Sequence, residues 1–366
     1  MEIRYQEWSF PAVNGEGDIF ARAWLVENPT AIIQLAHGMS EHSGRYDGFA
    51  RYLCTRGFCV VAGDIAGHGR SVHSRLGSFS TKAGGFDCAI EDCHRLFALG
   101  EERIGARPRI LFGHSMGGIL AGLYADRHAG LSALLLCAPP AGLQHSRLLA
   151  RIAGFVATFR GHSAPSPLLE RLTGSVRNLS TDEAVLKRSW LSRDEEEVRK
   201  FTEDPLCGFD YTAGGYATML EAYHFMYSSG KWGRGIPDIP ILFAGGAEDP
   251  QILGSPKGSQ NLGSAEDAQS LDSPKGQQSL GGPKDPQSLG SPKGPQNLGG
   301  AEDPVSPGCF EDTQSPRGLE SYARQLMKTG HSRVELKLFP DMRHDLLNEI
   351  GREEVYRYFA NWLAEK

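Results

Sequence analysis

The chain has 366 residues, 40% of them apolar and 9% aromatic, enough to build a sizeable core in one large α/β domain or two smaller ones. Its formal charge of −6 offers no basic footprint, which excludes nucleic acid as a partner. The 45 glycines and 21 prolines exceed an ordinary share, and the excess is local.

Residues 1–8 lack the basic start and apolar run of a secretory signal, and no stretch approaches the ~18 consecutive apolar residues of a membrane span. The expected location is cytoplasmic, with attachment to a membrane surface allowed. Seven cysteines, an odd number without C-x-x-C spacing, read as reduced and mostly buried thiols rather than a disulfide framework or a zinc site. Short apolar runs at 20–25, 31–36, 58–62, 109–112 and 133–137 predict strands, and helical patterns at 44–56, 83–101 and 116–128 fall between them. Runs as continuous as Ala133-Leu134-Leu135-Leu136-Cys137 suit a parallel sheet buried on both faces.

From 139 to 238 the alternation lapses into mixed helical sequence, which reads as a cap inserted between two strands. The strand pattern returns at 239–244 and 334–339, with helices predicted at 317–329 and 346–364. Between them runs a nine-residue period, from GAEDPQILG through SPKGPQNLG, whose six units fill 246–299. Those units hold ten Gly, seven Pro and no aromatic residue. Such sequence cannot bury enough apolar surface to offset its ordering entropy, so a disordered insertion at a surface connection is expected. Calcium-binding nonapeptide helices want a recurrent Asp that this period lacks. The expected architecture is therefore α/β, with a mostly parallel central sheet flanked by helices. Its parts are core 1–138, helical cap 139–238, core strand and acid loop 239–249, repeat insertion 250–303 and core 304–366.

The chemistry centres on Gly113-His114-Ser115-Met116-Gly117-Gly118, which lies between a predicted strand and a predicted helix. Glycines two before and two after the serine permit the sharp turn of a nucleophile elbow, and the helix points its positive end at a developing oxyanion. A serine hydroxyl needs an adjacent base, and the order in this arrangement is Ser, acid, His. His344, in the loop leaving the last strand, is the candidate base, whereas His331 precedes that strand and faces the wrong end. The acid belongs in the loop after 241–244, which reads Gly245-Gly246-Ala247-Glu248-Asp249-Pro250. The repeat returns the same hexapeptide at 299–304, so Asp249 and Asp303 are both candidates; Asp249, tied closely to its strand, is preferred. Glu248 and Asp341 read as solvated neighbours. The backbone N–H groups of Met39 and Met116 are the candidate oxyanion hole. No motif for a cofactor or metal stands out.

These residues resemble the monoacylglycerol lipase and lysophospholipase group of serine hydrolases within the α/β-hydrolase fold. The resemblance rests on His37-Gly38-Met39-Ser40-Glu41-His42-Ser43-Gly44-Arg45-Tyr46, on Asp64-Ile65-Ala66-Gly67-His68-Gly69-Arg70-Ser71, on the Ser115 motif and on Arg343-His344-Asp345-Leu346-Leu347-Asn348-Glu349. A further stretch, Trp190-Leu191-Ser192-Arg193-Asp194 with Asp204-Pro205-Leu206-Cys207-Gly208-Phe209, is similar to the cap of bacterial members. The resemblance implies a triad of Ser115, an Asp of the GAEDP loop and His344, with Met39 and Met116 as oxyanion donors. It also implies bracing roles for Glu41, His42, Arg45, Asp64 and His68. The expected function is hydrolysis of the acyl ester of a single-chain lipid, lysophospholipid or monoacylglycerol, through an acyl-enzyme. Phe155, Val156 and Phe159 are candidate walls of an acyl pocket, and the cap is a candidate for peripheral membrane contact. The alternatives are a serine hydrolase of small esters or aminoacyl amides, and a non-catalytic binding protein whose triad the expansion has disrupted. The sequence specifies no oligomeric state.

Overall fold

A computed structural model describes residues 2–82, 84–141, 143, 145–169, 181–252 and 318–366. The repeat from 253 onward, Asp303 and Cys309 lie outside the described residues. The described chain carries eight strands in one sheet: β1 (Arg4–Pro11), β2 (Asp18–Leu25), β3 (Ile32–Ala36), β4 (Cys59–Gly63), β5 (Arg109–His114), β6 (Leu131–Cys137), β7 (Ile241–Gly246) and β8 (Val334–Phe339). Their order is β1-β2-β4-β3-β5-β6-β7-β8. The pairings from β4 through β8 are parallel, and β1 and β2 join antiparallel at one edge. This is the α/β-hydrolase architecture.

Register places the site. Ala36 lies opposite Gly113, His114 opposite Cys137, Cys137 opposite Ala244, and Gly246 opposite Phe339. The carboxyl ends of β3, β5, β6, β7 and β8 are thereby level, and the loops that leave them share one edge, where ligands of open parallel sheets bind. Strand β1 carries no apolar run because it is a solvated antiparallel edge: of its residues only Phe10 is buried.

The helices are α1 (Asp47–Thr55), α2 (Gly85–Ile104), α3 (Met116–Arg127), α4 (Ser146–Arg160), α5 (Thr181–Lys187), α6 (Glu195–Glu203), α7 (Ala213–Tyr223), α8 (Leu319–Lys328) and α9 (Arg352–Ala364). The core between sheet and helices holds Trp24, Phe49, Phe97, Phe112, Tyr124 and Phe243, all fully buried. Helices α4 to α7 form the cap between β6 and β7. Within it α4 turns Ala150, Ala153 and Ala157 inward and packs along α7, whose first turn holds Gly214 and Gly215. The alanine face of α4 lets it approach its partner closely. Among the described residues no helix is long and apolar enough to cross a membrane.

Candidate active site

Ser115 sits between β5 and α3 with φ of 53° and ψ of −120°, a left-handed conformation that costs a non-glycine residue of order 1–3 kcal/mol. Packing on both sides over-determines it. A Cβ on Gly113 would lie 2.2 Å from the Gly117 carbonyl oxygen, and one on Gly117 would lie 2.1 Å from that of Ala36. Only glycine fits either position. The Ser115 N–H donates to the Cys137 carbonyl at 2.8 Å, which anchors the turn to the neighbouring strand.

His344 arrives on the loop after β8 and Asp249 on the turn after β7. His344 Nε2 is 2.8 Å from Ser115 Oγ, and its Nδ1 is 2.7 Å from Asp249 Oδ2. Asp249 is fully buried, and its Oδ1 accepts the Gln251 N–H at 2.8 Å. The carboxylate demands a proton on Nδ1, so the Nε2 lone pair faces the serine hydroxyl. The structure thus brings Ser115, His344 and Asp249 together. Glu248 is exposed, and Asp341 occupies a positive-φ turn. His331 hydrogen-bonds the carbonyls of Leu326 and Ile236, at the far end of β8.

Met39 and Met116 flank the serine from two sides. Met116 opens α3, where the first N–H groups have no partner inside the helix. Met39 follows Gly38, whose backbone lies against the nucleophile: a Cβ there would be 3.3 Å from Ser115 Cβ. Glu41 pins this loop. Its Oε1 accepts the Gly38 N–H at 2.6 Å and the Tyr46 hydroxyl at 2.8 Å, and its Oε2 bonds Arg45. Arg45 also donates to Asp345 at 2.6 Å. Burial opposes ionisation of Glu41, but the Arg45 guanidinium and His114 hold its carboxyl well below the usual range. Asp64 accepts the N–H groups of Ser43 and Arg70, and burial drives His68 down to about 3, so both brace turns rather than move protons.

His42 meets Asp204 and Cys207 of the cap, three groups of metal-ligating type. Its Nδ1 accepts the Gly44 N–H at 3.1 Å, so the proton sits on Nε2 and is donated to Asp204 at 3.0 Å. That tautomer presents no lone pair to a cation, and the cluster is a latch between loop and cap. Gly208 N–H to the Ser40 carbonyl and Ser40 hydroxyl to the Phe209 carbonyl complete it.

The cap also grips the His344 loop in a way the sequence did not reveal. The Asp345 N–H donates to the Leu191 carbonyl at 2.7 Å, and the Trp190 ring lies 5.1 Å from that of His344. Glu349, fully buried, accepts from the N–H groups of Arg193 and Arg343 and from the Ser192 hydroxyl. The cap partners Arg193 and Ser192 lie 156 and 157 residues from Glu349, and only the motif resemblance marked them. One expectation is corrected. Phe155 and Phe159 are 64% and 73% exposed and Val156 is half-buried, so they do not wall a closed pocket. The close α4–α7 contact uses the alanine face and leaves the phenylalanines outside.

The profile of the family described as "Serine aminopeptidase, S33" matches residues 27–270, two thirds of the chain. The chain belongs to this family. It is 31% identical over 220 residues to a monoacylglycerol lipase of Mycolicibacterium smegmatis, covering 58% of this chain and 69% of that one. It is 30% identical over 203 residues to the Homo sapiens monoglyceride lipase, covering 53% of this chain and 58% of the relative. Among solved structures, a thermostable carboxyl esterase from Bacillus coagulans superposes with a TM-score of 0.73 at 23% identity, over 99% of this chain and 98% of that one. A monoglyceride lipase variant of Saccharomyces cerevisiae gives 0.62 at 14% identity, over 100% and 95%. At those identities the superpositions speak for the fold. This S33 member is an α/β-hydrolase of the monoacylglycerol lipase and lysophospholipase group.

Proposed function

We propose that this S33 hydrolase cleaves the acyl ester of single-chain lipids, monoacylglycerol or lysophospholipid, with Ser115 as nucleophile, His344 as base and Asp249 as the acid that orients it. The observation that carries the reading is the pair of bonds, 2.8 and 2.7 Å, on the two nitrogens of a buried imidazole. Ser115 Oγ attacks the acyl carbon as its proton passes to Nε2. The N–H groups of Met39 and Met116 hold the oxyanion, each such donor contributing about 2.7–4 kcal/mol to the transition state. His344 returns the proton to the departing alcohol, and a water activated by the same nitrogen releases the fatty acid. The substrate class is supported by the lipases and by a Bacillus subtilis phospholipase, 33% identical over 125 residues, a third of this chain and 45% of that one. Two buried carboxylates beside the site, Glu41 and Asp345, are both bonded to Arg45, so neither is free to take the amino group of an aminopeptidase substrate.

The cap supplies a lipid-facing surface in this reading. On α4, Leu148, Ile152, Phe155 and Phe159 form an exposed stripe at helical spacing, and the charged residues of the helix are Arg147, Arg151 and Arg160. An apolar stripe edged only by cations suits an anionic bilayer surface.

Turnover of monoacylglycerol, lysophosphatidylcholine, p-nitrophenyl esters and an aminoacyl amide by the wild type and Ser115→Ala tests the proposal. Lipid-ester turnover that falls at least 10⁴-fold in Ser115→Ala is expected. Amide-only turnover defeats the substrate class, and a folded chain that takes no fluorophosphonate defeats the triad.

A further inference from the structure

His114 stands between Gly113 and Ser115, and the proposed chemistry does not use it. It is buried, and its ring centroid lies 5.1 Å from that of His344. Both of its nitrogens face acceptors. Nε2 lies 3.2 Å from the His344 carbonyl oxygen, which offers only lone pairs. Nδ1 lies 3.0 Å from the Tyr46 hydroxyl oxygen and 3.4 Å from Glu41 Oε1. Tyr46 has one proton, and it goes to Glu41 Oε1 at 2.8 Å. Sent to His114 instead, it would leave a phenol oxygen and a carboxylate oxygen at that distance with no proton between them. The Tyr46 oxygen therefore accepts, and each His114 nitrogen needs a hydrogen.

We propose that His114 is held as an imidazolium at neutral pH and is a positioning residue for His344. Its Nε2–H fixes the loop that carries the base, and its charge favours the neutral, proton-accepting form of the His344 ring. The role rests on reading Ser115, His344 and Asp249 as the triad.

The groups around His114 are Glu41 from the loop after β3, Tyr46 from the turn before α1, His344 and Asp345 from the loop after β8, and Cys137 at the end of β6, with Arg45 one bond removed on Glu41 and Asp345. Asp345, Arg45, Glu41 and His114 alternate in sign along a chain of bonds, and the last link closes on the residue beside the first. Two anions and two cations balance, which is the condition for ionised groups at this depth. Burial penalises the imidazolium, but the bond and charge of Glu41 outweigh it, so His114 titrates above the ordinary histidine value. Burial pushes the Cys137 thiol and the Tyr46 phenol well up, which leaves both neutral.

Two measurements on the full chain test this: ¹⁵N-histidine spectra from pH 6 to 8.5, and the pH profile of kcat/KM for p-nitrophenyl butyrate in wild type and His114→Gln. The glutamine amide still donates to the carbonyl but carries no charge. An imidazolium signature that persists at pH 8 in the wild type and disappears in His114→Gln is expected. With it, the acidic limb of kcat/KM should move up by about one pH unit while fluorophosphonate labelling of Ser115 is retained. A His114 signal with one bare nitrogen at pH 7 overturns the proposal, and so does an unmoved acidic limb. If the variant does not fold, the wild-type spectrum decides: it supports the proposal if the imidazolium persists and overturns it if none does. A wild type that takes no fluorophosphonate defeats the triad reading instead, and the spectrum still reports the charge on His114.

Discussion

After β8, Arg343, His344, Asp345 and Glu349 all find partners in other parts of the chain, whereas the 15 residues of α4 leave Leu148, Ile152, Phe155 and Phe159 open to solvent. The first region is polar sequence driven inside and satisfied there. The second is apolar sequence kept outside. Neither obeys composition alone, and each departure marks a place where chemistry or a partner is expected. Perturbing the first should be costly to activity and stability, while perturbing the second should cost neither.

The largest effect should come from Asp249→Asn, which leaves the geometry but inverts the demand on the imidazole tautomer and is expected to lower kcat by about 10⁴-fold. Asp303→Asn should leave kcat unchanged; the reverse pattern in steady-state assays would transfer the role to the second copy. Arg45→Met removes the cation that Glu41 and Asp345 share, leaving Glu41 with His114 alone and Asp345 with no ionic partner, and urea denaturation should report a loss of about 3–5 kcal/mol. A loss under about 1 kcal/mol would mean that the buried ring of charges is not held as described.

Asp92 sharpens the contrast because it is buried but only half-satisfied. Its Oδ1 accepts the Val13 N–H, its Oδ2 has no partner, and burial pushes its carboxyl up to about 6. A folded pKa above the unfolded one means that the ionised form is penalised in the folded state. Below about pH 4 the group is neutral in both states and costs nothing; stability is lost as pH rises from there through 6. Asp92→Asn should therefore raise stability by on the order of 2 kcal/mol at pH 7.5 and leave it unchanged at pH 3.5, as read by thermal melts. The smallest effect belongs to Phe155→Ser with Phe159→Ser. Stability should stay within about 0.5 kcal/mol and p-nitrophenyl butyrate turnover should be unaltered, while co-sedimentation with anionic vesicles is lost. Unchanged sedimentation would refute docking through α4.

The internal strands were legible because a parallel strand buried on both faces is a continuous apolar run, and the predicted and observed limits of β5 and β8 agree at nearly every end. The elbow was legible because close backbone approach admits only glycine at 113 and 117. Strand β1 was not, since a solvated edge strand carries little pattern.

What the sequence by itself determined is local: the serine on its turn, the late histidine, and an acid loop of which it holds two copies. That Asp249 meets His344 was decided by register, which levels the ends of β7 and β8. The direction in which the phenylalanines of α4 face was also a tertiary outcome. An amphipathic helix has one apolar stripe, but α4 packs along α7 through its buried alanines, and only that tertiary contact selects the face. Charge pairing across about 300 residues, as between Arg45 and Asp345, leaves no period for a sequence to display, because it depends on the fold closing before the partners meet.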